Sequence, residues 1–210
     1  MFGLQVTVAP TEEPLDLDEA KGQCGLLGNN AHDTLLQGLI TAARIYCERA
    51  TGKAFITQTL KLTRDCFPDY REGYVLRLPR PPLQSLTPDA DHLTLGIEYD
   101  DSQGVAQTLV ENTDYVVDTA CEPGRVGLVL GAVWPLTIDQ LGVVRVTYLA
   151  GYGDAADVPQ TIKQAMLLLI GHWFENREAV VTGTITQAHK LAVESLLGCE
   201  DSGAMVGTYG

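Results

Sequence analysis

Positive charge is what this chain has least of: 14 lysines and arginines stand against 27 aspartates and glutamates, a formal net charge of −13 over 210 residues. That balance excludes a general affinity for nucleic-acid phosphates or anionic membrane surfaces, which clustered cations would supply. Long apolar runs are missing as well. In the most apolar stretch the unbroken run covers only residues 165–170, far below the ~18 residues a membrane span needs. No basic region followed by an apolar core opens the chain, so no signal peptide is expected. Paired cysteines are absent too. Cys24, Cys47, Cys66, Cys121 and Cys199 are odd in number and form no CxxC. They read as reduced, mostly structural thiols of a cytoplasmic product, neither a disulfide frame nor a zinc site. There is no internal repeat.

What remains is ordinary for a globular protein: 45% hydrophobic and 20% charged residues, enough for one domain or two small ones with a real core. The acidic excess is uneven. Residues 1–53 carry 4 basic and 7 acidic groups, residues 54–157 carry 7 and 15, and residues 158–210 carry 3 and 5. A soluble acidic surface explains this without any further role.

Residues 158–178 organise the chain. Pro159 suits a first helical turn, where a missing amide costs nothing. Val158, Ile162, Ala165, Met166, Leu169 and Trp173 recur at steps of three and four and mark a buried stripe. Leu167, Leu168, Ile170 and Phe174 widen it until the middle is apolar nearly all round, as in a helix covered on several sides.

Upstream, residues 1–14 alternate briefly but hold two prolines and no nearby partner, so they read as an arm. Asp16 with Glu19 predicts a capping box opening a short helix that Gly22 and Gly25 end. Leu36, Ile40, Ala43, Cys47 and Ala50 predict a helix over 32–51, with Gly52 just past its end. The hydrophobic period then falls to two. Strands are expected over 55–67, 74–78, 93–99, 105–110, 115–117, 126–130 and 143–149, with 100–104 as a hairpin loop offering Gly104 for a positive φ. Pro79, Pro81 and Pro82 belong at an edge or a connection. Short strands with no helices between them indicate an antiparallel sandwich or barrel. The fold class is therefore α+β. An arm and helices occupy 1–53, an inserted antiparallel β module 54–150, and a helical part packing on 16–53 occupies 151–197. That last part includes a short helix over 191–197, and a flexible tail covers 198–210.

Several fragments imitate catalytic motifs. Gly151-Tyr-Gly-Asp-Ala-Ala156 fits GxGxxA between a strand and a helix. Asp154 would set a carboxylate beside the pyrophosphate, however, and no second strand carries the expected acid. Gly52-Lys53 lacks the Ser/Thr and upstream glycine of a phosphate loop. His172 and Glu175 share a helix face without further ligands. Asp100 and Asp101 are adjacent at a hairpin tip, so their side chains should diverge and solvate rather than converge as an acid–base pair. Ser195 has no elbow motif. No enzyme is expected, and no cofactor or metal.

Five pieces in order resemble the head–tail connector (adaptor) family of tailed bacteriophages and prophages. They are Leu39-Ile-Thr-Ala-Ala-Arg44 with Glu48, Thr51 and Gly52; Ile97-Glu-Tyr-Asp-Asp with Gly104; Trp134-Pro135; Ala150-Gly-Tyr-Gly153 with Val158-Pro159; and Ile162-Lys-Gln-Ala with His172-Trp-Phe-Glu-Asn-Arg-Glu178. The resemblance extends over about residues 15–197. The chain departs from the family at His189, where a proline is usual, and in its small-residue end after Cys199.

The resemblance implies a non-catalytic virion-neck subunit, assembled in the host cytoplasm into a closed ring of about twelve copies. That ring would sit beneath the portal protein and above a head-closure or tail protein. DNA would pass through it without specific binding, and no membrane is involved. Trp134, Gly151, Gly153 and Pro159 read as fold residues. Leu168, His172, Arg177, Leu196 and Leu197 are expected to face a neighbouring subunit or the portal. The reading from another class is a small-ligand-binding or enzymatic β module on a helical base. Sizing and a thermal-shift screen with nucleotides and metals separate the two.

Overall fold

The computed structural model of the chain describes residues 2–84, 95–176 and 187–198. The chain divides into two compact units, Met1–Pro10 with Thr57–Tyr152, and Thr11–Ile56 with Gly153–Gly210.

The first unit holds the strands: β1 (Phe2–Val8), β2 (Gln58–Arg64), β3 (Leu76–Arg77), β4 (Leu95–Asp100), β5 (Ala106–Leu109), β6 (Tyr115–Asp118), β7 (Arg125–Leu128) and β8 (Val144–Ala150). Five form one sheet in the order β1-β2-β8-β4-β5, and β3-β7-β6 form another. Every ladder between these strands is antiparallel, and neither sheet closes into a barrel. The period-two patterning shows directly in burial. Leu60 and Leu62 of β2, and Val144, Val146 and Tyr148 of β8, are buried, while the residues between them are half-buried. Buried phenols tie irregular segments to this core. Tyr115 Oη donates to the Leu95 carbonyl (2.9 Å) and Tyr148 Oη to the Pro79 carbonyl (2.6 Å). Burial pushes the Tyr115 phenol up to about 12, with Glu111 and Asp114 adding to it, and raises Tyr148 as well.

Half of the arm expected over 1–14 is a strand, Phe2–Val8. β1 runs antiparallel to β2, with Phe2 opposite Arg64 and Val8 opposite Thr59, and Thr7 Oγ1 donates to the Thr59 carbonyl (3.1 Å). Its alternation is a true strand signal whose partner lies beyond both intervening helices. The hairpin glycine behaves as its loop requires, Gly104 adopting φ 77°.

The second unit holds α1 (Leu17–Gln23), α2 (Asp33–Thr51), α3 (Gln160–Glu175) and α4 (Gln187–Gly198). Asp16 and Glu19 form the reciprocal capping box, at 2.7 and 2.8 Å, and Gly52 closes α2 in the left-handed region at φ 68°. α3 packs against α1, α2 and α4, burying Ile162, Ala165, Met166, Leu169 and Ile170. Pro159 sits at its N-cap, not inside its first turn. Trp173 departs from the stripe. It is half-buried in the last turn, edge-on to Tyr46 at 6.1 Å between ring centroids, because α3 ends two residues later. α4 begins earlier than the patterning over 191–197 suggests. Residues 199–210, most of the expected tail, lie outside the described residues.

Candidate interaction surfaces

The helical unit is stiffened by a buried charge network. Glu48, 4% exposed, accepts from the Phe55 N–H (3.0 Å) and from Arg44 Nη1 (3.2 Å). Arg44 also reaches Glu13 through Nε at 2.7 Å and Nη2 at 3.3 Å. Burial works against the Arg44 charge, but the two carboxylates outweigh it and hold the guanidinium above its ordinary value. Beside it, burial and then Glu48 push the Cys47 thiol up to about 12, so it is a neutral core group.

Of the residues expected at an interface, Leu168 and His172 stand one turn apart on α3 and are both half-buried. Asn176 caps the helix end, its Nδ2 donating to the His172 carbonyl at 2.9 Å. Leu196 is half-buried on α4. Leu197 is only 5% exposed, so its own chain covers it and it offers nothing to a neighbour. Arg177 lies outside the described residues. Among its described residues α4 exposes the large apolar side chain of Leu191, at 60%.

The Gly151–Ala156 turn closes on itself instead of opening toward a phosphate. Gly151 and Gly153 take φ 133° and 136°, and a Cβ on Gly153 would run into the Asp157 carboxylate. Asp154 and Asp157 form a reciprocal capping box around the 3-10 turn Ala155–Asp157, and the Ala155 N–H donates to Glu12 Oε1. The amides and the space a pyrophosphate would need are already taken by carboxylates.

The hairpin acids do not solvate as expected. Asp100 takes a two-pronged contact from Arg145, at 2.7 and 2.8 Å. Asp101 accepts from the Gln103 and Val105 N–H groups and from Gln107 Nε2, at 2.9, 3.0 and 3.0 Å. The Arg145 hydrogen bond holds the Asp100 carboxyl below its ordinary range, and the Val105 N–H does most for Asp101. Together they lock the hairpin tip.

Sequence reasoning missed an apolar display of the first unit. The β7–β8 connection exposes Leu130, Val133, Leu136 and Leu141 at 106, 82, 83 and 89%. The connection is nonetheless anchored. The Trp134 ring stacks on Phe67, and Trp134 Nε1 donates to the Tyr74 carbonyl at 2.9 Å. The readable signal was aliphatic residues at no helical or strand period within a Gly- and Pro-bounded stretch, a combination typical of a contact loop.

No family model matches the chain, and no curated protein sequence matches it. Among solved structures, the fold corresponds to a chain described as "Neck of empty GTA particle computed with C6 symmetry", at 23% identity, TM-score 0.68, and 94% of both chains covered. It also corresponds to a chain of "Virion of native gene transfer agent (GTA) particle", at 22% identity, TM-score 0.66 and 93% of both chains. A third likeness is to "Neck of native GTA particle computed with C12 symmetry", at 22% identity and TM-score 0.66, covering 94% of this chain and 93% of that one. At this identity the likeness shows the shared fold.

Proposed function

We propose that this chain is a structural head–tail connector (adaptor) subunit of a phage or phage-like particle. It sits in the virion neck as a ring of about twelve copies beneath the portal and above a head-closure or tail protein. The observation that carries the reading is the fold correspondence with particle-neck chains over 94% of both molecules, which leaves little of this chain for another role. Physical features agree. The second unit is a stiff helical bundle cross-tied by the Arg44–Glu48–Glu13 network. A chain with net charge −13 suits the wall of a passage through which DNA slides without being held. The motif-like Gly151–Ala156 turn and the paired hairpin acids are both occupied by structural hydrogen bonds, which favours a scaffold over a catalyst.

Within this reading, Leu168, His172 and Leu196, with exposed Leu191, are the helical positions that meet a neighbouring subunit or the portal. The test is negative-stain imaging of the concentrated protein, joined to a mixing assay with portal-bearing heads. Rings that cap the heads are expected. A monomer at every concentration that also fails to bind heads, or a clear melting shift with a nucleotide or metal, would overturn the reading.

A further inference from the structure

The outer strands of a sheet usually carry lysines, other charges or proline, which keep their open edges from pairing with another chain. In the five-stranded sheet of the first unit the distribution runs the other way. Its charged residues, Lys61, Arg64, Glu98, Asp100 and Arg145, all lie on the inner strands β2, β4 and β8. The outer strands, β1 (FGLQVTV) and β5 (AQTL), hold no charge and no proline. Among the described residues nothing pairs with the free side of either one. The single irregularity, a register shift between Val6 and Val8, leaves Phe2–Val6 in regular pairing. The core also stops short at β1. Register puts Phe2, Leu4 and Val6 on the core face with Leu60 and Leu62, yet Phe2 and Val6 are 60 and 43% exposed. Phe2 and Leu62 line a cavity of about 660 Å³. An added strand, with the layer that comes with it, would meet both the unpaired backbone and the uncovered side chains.

Two bare edges on one sheet are both satisfied by a single kind of contact if they meet each other. β1 and β5 stand at opposite ends of the strand order, so a copy joined through its β1 still offers its β5 to the next. That is a head-to-tail contact, the kind that closes into a ring under rotation. Every neighbouring pair in the sheet is antiparallel, so the first and fifth strands run in the same direction. A sheet continued from copy to copy therefore joins them in parallel, a slightly weaker ladder than the antiparallel ones inside the subunit. A two-fold contact of β1 with β1 would be antiparallel and would leave β5 bare.

We propose that β1 of one copy pairs in parallel with β5 of a second copy, Gly3–Val6 against Ala106–Leu109, so that their sheets become continuous. In this register Val6 lies beside Leu109 on the core face. Gln5 lies beside Thr108 on the opposite face, the one shared by Lys61, Arg145 and Glu98. This deepens the connector reading and rests on it for the identity of the occupant. Copies with net charge −13 then meet along their neutral rims.

The test uses the full chain, followed by mass photometry, negative-stain imaging and thermal melting. Gln5→Lys with Thr108→Lys sets like charges across the junction and is expected to weaken self-association by about tenfold or more. The two added positive charges take the net charge from −13 to −11, so general repulsion between copies would shift association the other way. Gln5→Glu with Thr108→Lys sets opposite charges there and restores association. Both positions are exposed, so the melting temperature stays in place. If Gln5→Lys lowers it, Gln5→Glu with Thr108→Glu supplies the like-charged junction, and the same loss is expected. Rings that form equally well with like charges overturn the inference and leave the connector reading standing. Failure of the oppositely charged chain to recover also overturns it, as a two-fold β1 contact, in which position 5 faces itself, would show. Open filaments in place of rings, broken by like charges and restored by opposite ones, support the junction while overturning the closed ring. A wild-type chain that stays monomeric at every concentration overturns the inference, and the connector reading with it if the chain also fails to bind heads.

Discussion

Trp134 lies flat on Phe67, ring centroids 4.8 Å apart and planes within 7°, while its indole N–H reaches back to the Tyr74 carbonyl. Phe67 is itself 7% exposed and touches Tyr99 edge-on at 5.5 Å. One indole thus fastens the β7–β8 connection to the unit's core. The aliphatic residues around it are then held out in water by an anchored backbone.

Trp134→Ala should cost about 2–3 kcal/mol, the sum of a lost stacked pair, a lost hydrogen bond and some apolar burial. Trp134→Phe should keep the stack and cost about 1 kcal/mol. Urea denaturation monitored by far-UV signal measures both. Equal losses in the two variants would show that the hydrogen bond alone holds the loop.

The fold was legible wherever its signals were local. Asp16 with Glu19, Gly52 and Gly104 each act through neighbours within a few residues, and all adopt the expected geometry. The α3 stripe from Ile162 to Ile170 needed only the helical period. β1 was misread because its pairing with β2 is a distant contact that no local pattern encodes. Asp100 was misread for a related reason, since its partner Arg145 is set by the strand register, which places β8 beside β4. Asp101 is held by amides of its own turn, a local contact that the adjacent-acid reading overlooked. Leu197 was misplaced because periodicity gives a helix an apolar face without saying whether its own domain already covers it.

Glu48 is the node of the helical unit's polar core. Glu48→Ala leaves the Phe55 N–H without this acceptor and strips Arg44 of one of its two carboxylates, a change expected to cost about 3 kcal/mol or more. Glu48→Gln should cost less, since an amide oxygen can still accept from Phe55. The midpoint of denaturant unfolding reports the difference. A Glu48→Ala midpoint equal to wild type would mean that the network is dispensable.

The hairpin acids give the first unit an acid-side pH dependence. Asp100 is held below its unfolded value of about 3.9, chiefly by Arg145. Its contribution is therefore fully present above about pH 4 and is lost as pH falls through the folded value. Asp101 and Asp118 shift in the same direction and add to the slope. The melting temperature should be flat from pH 7 to about 5 and fall below about 4. Asp100→Asn should lower the plateau and make the fall shallower. A variant with an unchanged pH profile would remove Asp100 from the account.

Within α3, burial ranks the effect of a charge. Met166 is 0% exposed, so Met166→Asp places a carboxylate among apolar groups and should abolish folding of the helical unit. Trp173 is half-buried beside Tyr46, and an aspartate there can reach water, so Trp173→Asp should fold with a lowered melting temperature. Circular dichroism at 222 nm on heating separates the two, and the reverse order would contradict the observed burial.

Gly153 tests whether the turn before α3 is shaped by its backbone or by its carboxylates. At φ 136° the residue lies where side chains are rarely tolerated, and an alanine Cβ would press on the Asp157 carboxylate. That carboxylate accepts from the Asp154 N–H at 3.1 Å, so moving it also opens the capping box. Gly153→Ala should therefore cost about 2–3 kcal/mol, from strain and lost capping together. Asp157→Ala alone should cost about 1 kcal/mol, the worth of a cap. In the double variant the added methyl meets no carboxylate, so its cost should fall short of the sum of the singles by about 1 kcal/mol. Strict additivity would place the whole Gly153 penalty in the backbone φ and none in the contact with Asp157.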